Sequence, residues 1–318
     1  MKQVLFFLLC NIFLNATPTL KPVDIIEING TVKDMVLRDN LLIVATDMGH
    51  IEVKDITTKK NVKTIAIPNV KDFMGDEIPA RVMSTDKIDN QYLILSDSGK
   101  GGYSNLYIYD TNLTQILSAK DKKAIIKARF IDKNHILLGY LSNEISLFNI
   151  KTKTELYKKQ LSESKFSDFT LNLDKGQAVV ACESGILSIV DTHKGTVLQE
   201  LKGVNKDNVY KVAFRKGIIT AAGQDRKAVI YNLNKGSNQF IQGSFLIYAT
   251  GISPSSQKVA FALDEENNIS IFNSRTKEKL FILKGQESTL NNILFKDEKT
   301  LFSSSSDSHI LIWNLINP

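Results

Sequence analysis

Cysteine, histidine, tryptophan and proline are all scarce in this chain of 318 residues, at two, four, one and six respectively. Two cysteines, Cys10 and Cys182, cannot build a disulfide framework. Within AVVACESG, Cys182 reads as a small residue of a buried strand. The four histidines are scattered and give no metal-ligand spacing. There is no HExxH helix and no GxSxG elbow. The stretch SDSGKGG lacks the spacing of a phosphate loop, and its glycines permit a wide hairpin turn instead. Neither sign of charge dominates, with 40 Lys and Arg against 34 Asp and Glu, a formal net charge of +6. The lysines are dispersed, as at Lys59, Lys60 and Lys63 or Lys151, Lys153 and Lys158. No basic run is interleaved with aromatics as a base-stacking platform requires, so nucleic acid is not an expected partner.

The N-terminus holds the first positive signal. Lys2 precedes the apolar run VLFFLLCNIFL from Val4 to Leu14, and Ala16 follows as a small residue before Thr17 and Pro18. The run is too short to span a bilayer and fits a secretory signal peptide over residues 1–16. Cleavage is expected near Ala16, although Leu14 occupies a position that favours a small residue, and an uncleaved anchor is the alternative. Leu9 before Cys10 does not fit a lipoprotein signal. The mature chain, 17–318, is therefore expected in the periplasm, with no membrane contact beyond such an anchor and with Cys182 as its one cysteine.

What the chain has in abundance is repetition. The phrases IEVKDI, LYIYDT, ISLFNI, LSIVDT, AVIYNL, ISIFNS and ILIWNL carry as their penultimate residues Asp55, Asp110, Asn149, Asp191, Asn232, Asn273 and Asn314. The steps between these residues are 55, 39, 42, 41, 41 and 41. A repeat of roughly 40–45 residues that reads as four short strands is the period of a β-propeller blade. Seven copies predict one closed all-β domain of seven blades. The chain ends just after the third strand of blade 7, while Asp24 to Ile28 (DIIEI) precedes blade 1 without a partner. Placing that segment as the outer strand of blade 7 closes the ring and removes an exposed edge.

Blade 7 carries the fullest pattern. Gly285 and Gln286 open it, Ser303, Ser304 and Ser305 form a small-residue strand, and Asp307 and Trp313–Asn314 follow. Blade 5 repeats this more weakly, with Gly203, Ala221, Ala222, Gly223, Asp225 and Tyr231–Asn232. These positions resemble those of WD40 repeats, with Gln286 in place of the usual histidine. The resemblance implies a structural network among Gln286, Ser303, Ser305, Asp307 and Trp313, with Asp225 its counterpart in blade 5. Without the histidine that network is expected to stay incomplete, leaving stability to apolar packing.

Two irregularities mark a candidate face. The long first step places extra residues at 68–80 (PNVKDFMGDEIPA) and 97–104 (DSGKGGYS). Inter-blade loops and second-to-third turns emerge on the same rim, and loops on a rigid scaffold carry function. Phe73, Met74, Asp76, Glu77, Lys100 and Tyr103 offer apolar and charged contacts to a protein partner; the alternative is a pair of tolerated extensions. His50 and His309 sit at matching positions in blades 1 and 7 and, with Asp47 and Asp307, fall near the same rim. Register guarantees only nearness, and a metal site needs three or four converging ligands, so no metal or cofactor is expected.

In overall character the chain resembles the NapL-type accessory proteins of the periplasmic nitrate reductase system. That resemblance implies a non-catalytic role in maturation or electron supply for a molybdenum enzyme, exercised by a monomer through protein contacts. Two rival readings remain. One is a secreted propeller enzyme, a lactonase-like hydrolase or quinone-dependent dehydrogenase with channel residues gathered from several blades. The other is a cytoplasmic WD40 interaction module.

Overall fold

Strands alternate with tight turns along the described chain. The central strands are short apolar runs buried on both faces, as in LLIVAT and IITAAG, and outer strands such as TELYKKQ and SNQFIQ alternate between half-buried and exposed residues. Asp, Asn, Gly and Lys adopt left-handed conformations at the corners, as at Asp39 and Lys175. The computed structural model describes residues 17–316, so the proposed signal peptide lies outside the described residues. The strands form seven small antiparallel sheets in chain order, the blades of a β-propeller. Blade 3 is representative, running through Ile125–Phe130, His135–Tyr140, Glu144–Asn149 and Thr154–Gln160.

The repeated phrase has a local physical cause. Its acidic or amide residue ends the third strand, and its side-chain oxygen accepts backbone N–H groups of the turn into the outer strand. Asn149 Oδ1 accepts from Lys151 and Thr152 at 2.9 and 3.1 Å, and Asp191 Oδ1 from His193 and Lys194, both at 2.9 Å. Asp55 and Asn273 repeat the arrangement. Such turns satisfy donors that the sheet ladder leaves unpaired. Among the described residues no such turn bond is made by Asn314, and its Oδ1 is buried without a partner there.

The ring is closed by the N-terminal segment. Asp24–Glu27 pairs antiparallel with His309–Ile312, so blade 7 takes its outer strand from the opposite end of the chain. Ile26 and Ile28 are buried and pack with Val32, Leu42, Phe302 and Ile310, joining blade 7 to blade 1. Thr19–Leu20 adds a feature not expected from the repeat, a fifth strand parallel to Lys279–Leu283 of blade 6. The remaining apolar clusters likewise lie between adjacent blades: Ile43, Ile51 and Val53 of blade 1 meet Val82, Tyr92 and Ile94 of blade 2. Burying such faces drives closure, since each buried aliphatic side chain contributes roughly 1.5–3 kcal/mol.

In blade 7 the incomplete network expected from the missing histidine does not occur. Trp313 Nε1 donates to Ser303 Oγ at 2.8 Å, and Ser303 Oγ donates to Gln286 Oε1 at 2.7 Å. Gln286 Nε2 donates to Ser305 Oγ at 2.8 Å, and Ser305 Oγ donates to Asp307 Oδ2 at 2.6 Å. An amide both accepts and donates, so glutamine completes the relay.

Candidate functional site

Two regions concentrate polar or exposed chemistry: one rim of blades 1 and 2, and the central channel.

At the rim, Val70–Lys71 and Glu77–Ile78 pair as a small hairpin between blades 1 and 2. Val70 and Ala80 are buried in the inter-blade core and anchor its base. The turn is self-bonded: Asp72 N donates to Asp76 O at 2.9 Å, and Asp76 N to Asp72 Oδ1 at 2.9 Å. The tip therefore holds Phe73 and Met74 in water, with exposures of 98% and 77%. The second insertion packs against this hairpin. Gly99, at φ +66°, comes so close that a Cβ there would lie 2.2 Å from the Lys71 carbonyl oxygen. Lys100 is exposed, and Tyr103 lies over Gly101 and donates its backbone N–H to the Lys100 carbonyl at 3.0 Å. Asp76 and Glu77 are exposed on the hairpin.

The two histidines do not join this face as a pair. His50 is buried in blade 1, where its ring nitrogens meet Met48 O at 3.1 Å and Glu52 Oε1 at 3.3 Å. The Glu52 hydrogen bond is the main reason its pKa lies above the ordinary histidine value; burial opposes this. Glu52 also accepts from Asn29 N at 2.7 Å and meets Lys54 at 2.5 Å. Burial would raise its pKa, but the His50 and Lys54 contacts prevail and hold it near 2. His309 pairs instead with Glu27 of the closing strand at 3.1 Å. Among the described residues no group of three or more His, Cys, Asp or Glu side chains is placed to hold a metal ion.

The sequence names the central channel only as the seat of the rival enzyme reading and singles out none of its residues. The first strands of blades 1, 3, 4, 5 and 7 each carry a register shift near their start. A bulge re-aims the side chain that follows it. The residues that follow are Asp34, Lys127, Asp168, Lys211 and Asn292, and all five line a cavity of about 570 Å³ on the ring axis. Arg129 Nη2 donates to Asp34 Oδ1 at 2.8 Å, and its Nη1 lies 2.8 Å from Asp34 Oδ2. Lys127 Nζ donates to Asp168 Oδ1 at 2.5 Å. The carboxylates also pin neighbouring blades: Asp34 Oδ2 accepts from Thr85 N at 3.0 Å, Asp86 Oδ2 from Phe130 N at 3.0 Å, and Asp168 Oδ2 from Val212 N at 3.1 Å.

Burial would raise the Asp34 pKa, but Arg129 and then Lys127 outweigh it and hold the carboxyl well below the usual range. Burial pulls the Lys127 ammonium down to about 8, against the attraction of Asp168. The signal that marks this site in the sequence is a charged residue inside an apolar first strand, as in IIKARF and VYKVAFR. No protein-family model matches the chain, and no curated protein sequence matches it.

Proposed function

We propose that this propeller is a non-catalytic interaction scaffold of the WD40-like type that takes a protein partner on the rim of blades 1 and 2. The observation that carries this reading is the Phe73–Met74 tip: two large apolar side chains held in water by an anchored, self-bonded hairpin. Exposed aromatic and methionine side chains on a rigid support have the character of interface anchors. Asp76, Glu77 and Lys100 beside them supply a polar rim. The finer reading is an exported accessory protein of periplasmic nitrate reductase, serving maturation or electron supply. It rests on the apolar run at 4–14 and on the overall resemblance to NapL-type proteins.

Affinity capture from the native periplasm tests the rim. Phe73→Asp combined with Met74→Asp is expected to abolish recovery of the partner while leaving the melting temperature unchanged; undiminished recovery overturns the rim reading. Fractionation with N-terminal sequencing tests export, and a soluble cytoplasmic chain that retains Met1 defeats it.

A further inference from the structure

The channel carries more positive charge than its own carboxylates neutralise. Asp34 is engaged by Arg129, Asp168 by Lys127, and Asp86 by Arg38 at 2.6 Å. Lys175, Lys211 and Arg215 line the same cavity, and among the described residues none of them forms an ion pair. All three are partly withdrawn from water.

Their placement follows from the fold. First strands run from the face of the inter-blade loops to the opposite face. Arg38 and Arg215 close the first strands of blades 1 and 5, and Lys175 lies in the next turn of blade 4 at φ +61°. They form a cationic mouth on the face away from the Phe73 rim, with Lys211 deeper in the channel. Burial, and then Arg38, hold the Arg215 guanidinium below its ordinary value. Lys175 is lowered by burial as well, with Asp86 opposing and Arg38 adding to the fall. Asp39 and Asp89 sit exposed on the outer lip, and Asp89 is taken up by Lys133 at 2.8 Å.

We propose that the channel is a binding site for a compact, multiply charged oxyanion, of the phosphate or polycarboxylate class, held by Arg215, Lys175 and Lys211. A guanidinium fork and two ammonium groups can each donate to anionic oxygens, and such charge-assisted bonds are the stronger kind. Cations that share a partly enclosed cavity repel one another, and a bound anion relieves that repulsion where screening by water is weakest. The volume suits a small ligand. Propeller blades gather the three residues from two adjacent repeats, so the site leaves no linear motif.

Titration calorimetry of the full chain with pyrophosphate, and separately with citrate, tests this. The expected result is saturable binding of at least one of them with a stoichiometry of one, surviving physiological salt. Arg215→Gln combined with Lys175→Gln is expected to weaken it roughly ten- to hundredfold, the loss of one or two charge-assisted bonds. Lys158→Gln, on the outer strand of blade 3, and the Phe73→Asp, Met74→Asp variant are expected to bind as the parent does; the latter separates this site from the rim. Should the double variant fail to give the parent's circular dichroism spectrum, Lys211→Gln alone carries the same expectation. The proposal falls if neither anion gives saturable heat, if physiological salt abolishes it, if neutralising the three cations leaves it intact, or if hexaglutamate binds while both compact anions do not.

Discussion

The channel and blade 7 both bury polar side chains, and they satisfy them by opposite means. In the channel, charges from the first strands of several blades are paired across blade boundaries: Asp34 of blade 1 reaches Arg129 of blade 3 and the backbone of blade 2. In blade 7 the relay from Trp313 to Asp307 stays within one sheet and runs largely through neutral groups. The charged arrangement fixes blades relative to one another, whereas the neutral one fixes strands within a blade. The two therefore fail differently. Loss of one charge leaves its partner stranded in a poorly solvated space, while loss of one relay member leaves ordinary donors and acceptors unpaired.

The largest effect is expected from Asp34→Asn, which keeps the shape and leaves Arg129 uncompensated. Breaking a buried pair in this way costs about 3–5 kcal/mol, measurable by urea unfolding at neutral pH. The pH dependence has a definite sign. The folded-state pKa of Asp34 is depressed below the ordinary aspartate value, so its contribution is present above that ordinary value and is lost as pH falls toward the folded pKa. The stability gap between parent and variant should therefore shrink below about pH 4. A gap that stays constant down to about pH 2 contradicts the assignment.

A smaller effect is expected from Gln286→Leu. It strips Ser303 Oγ of its acceptor and Ser305 Oγ of a donor, for a cost of about 2–3 kcal/mol. No titratable group is removed, so this gap should remain flat where the Asp34 gap shrinks. If both gaps vary alike with pH, the contrast between charged and neutral systems is lost. Asn205→Leu is the matching change in blade 5. Asn205 makes one long bond there, from Nδ2 to Asp225 Oδ1 at 3.3 Å, so the cost should be about 1 kcal/mol or less.

The sequence is legible where physics repeats and opaque where it does not. The phrase with its penultimate Asp or Asn marks the third strand of every blade because the turn after that strand recurs in most of them, and with it come the blade number and the ring-closing role of Asp24–Glu27. The first strand of blade 6, only Thr250–Ile252, and the parallel strand Thr19–Leu20 lack such a signature. Gln286 misled because a family pattern names a residue type, whereas the relay needs only a side chain that donates and accepts. The channel stayed hidden for a different reason. Its charges lie in separate repeats, and only ring closure and the bulges bring Asp34, Lys127, Asp168 and Lys211 to one axis. His50 shows the limit of register: it matches His309 in position, yet one ring is buried against Glu52 and the other pairs with Glu27 at the edge.

Blade 5 offers the finest test, because it occupies the relay's template without completing it. Ala221 and Gly223 stand where blade 7 has Ser303 and Ser305, so no hydroxyl reaches from the second strand toward Asp225. Tyr231 takes the place of Trp313, and its hydroxyl lies buried beside the Asn205 backbone without a well-formed hydrogen bond, while Asn205 Oδ1 has no partner. An unpaired buried hydroxyl is a cost that the folded state carries and the unfolded state does not. Tyr231→Phe removes that cost and keeps the ring, and thermal and urea unfolding should show it to be neutral or stabilising by up to about 1 kcal/mol. Destabilisation by this change would mean that the hydroxyl is satisfied after all, and the difference between the two blades would then be one of geometry rather than of completeness.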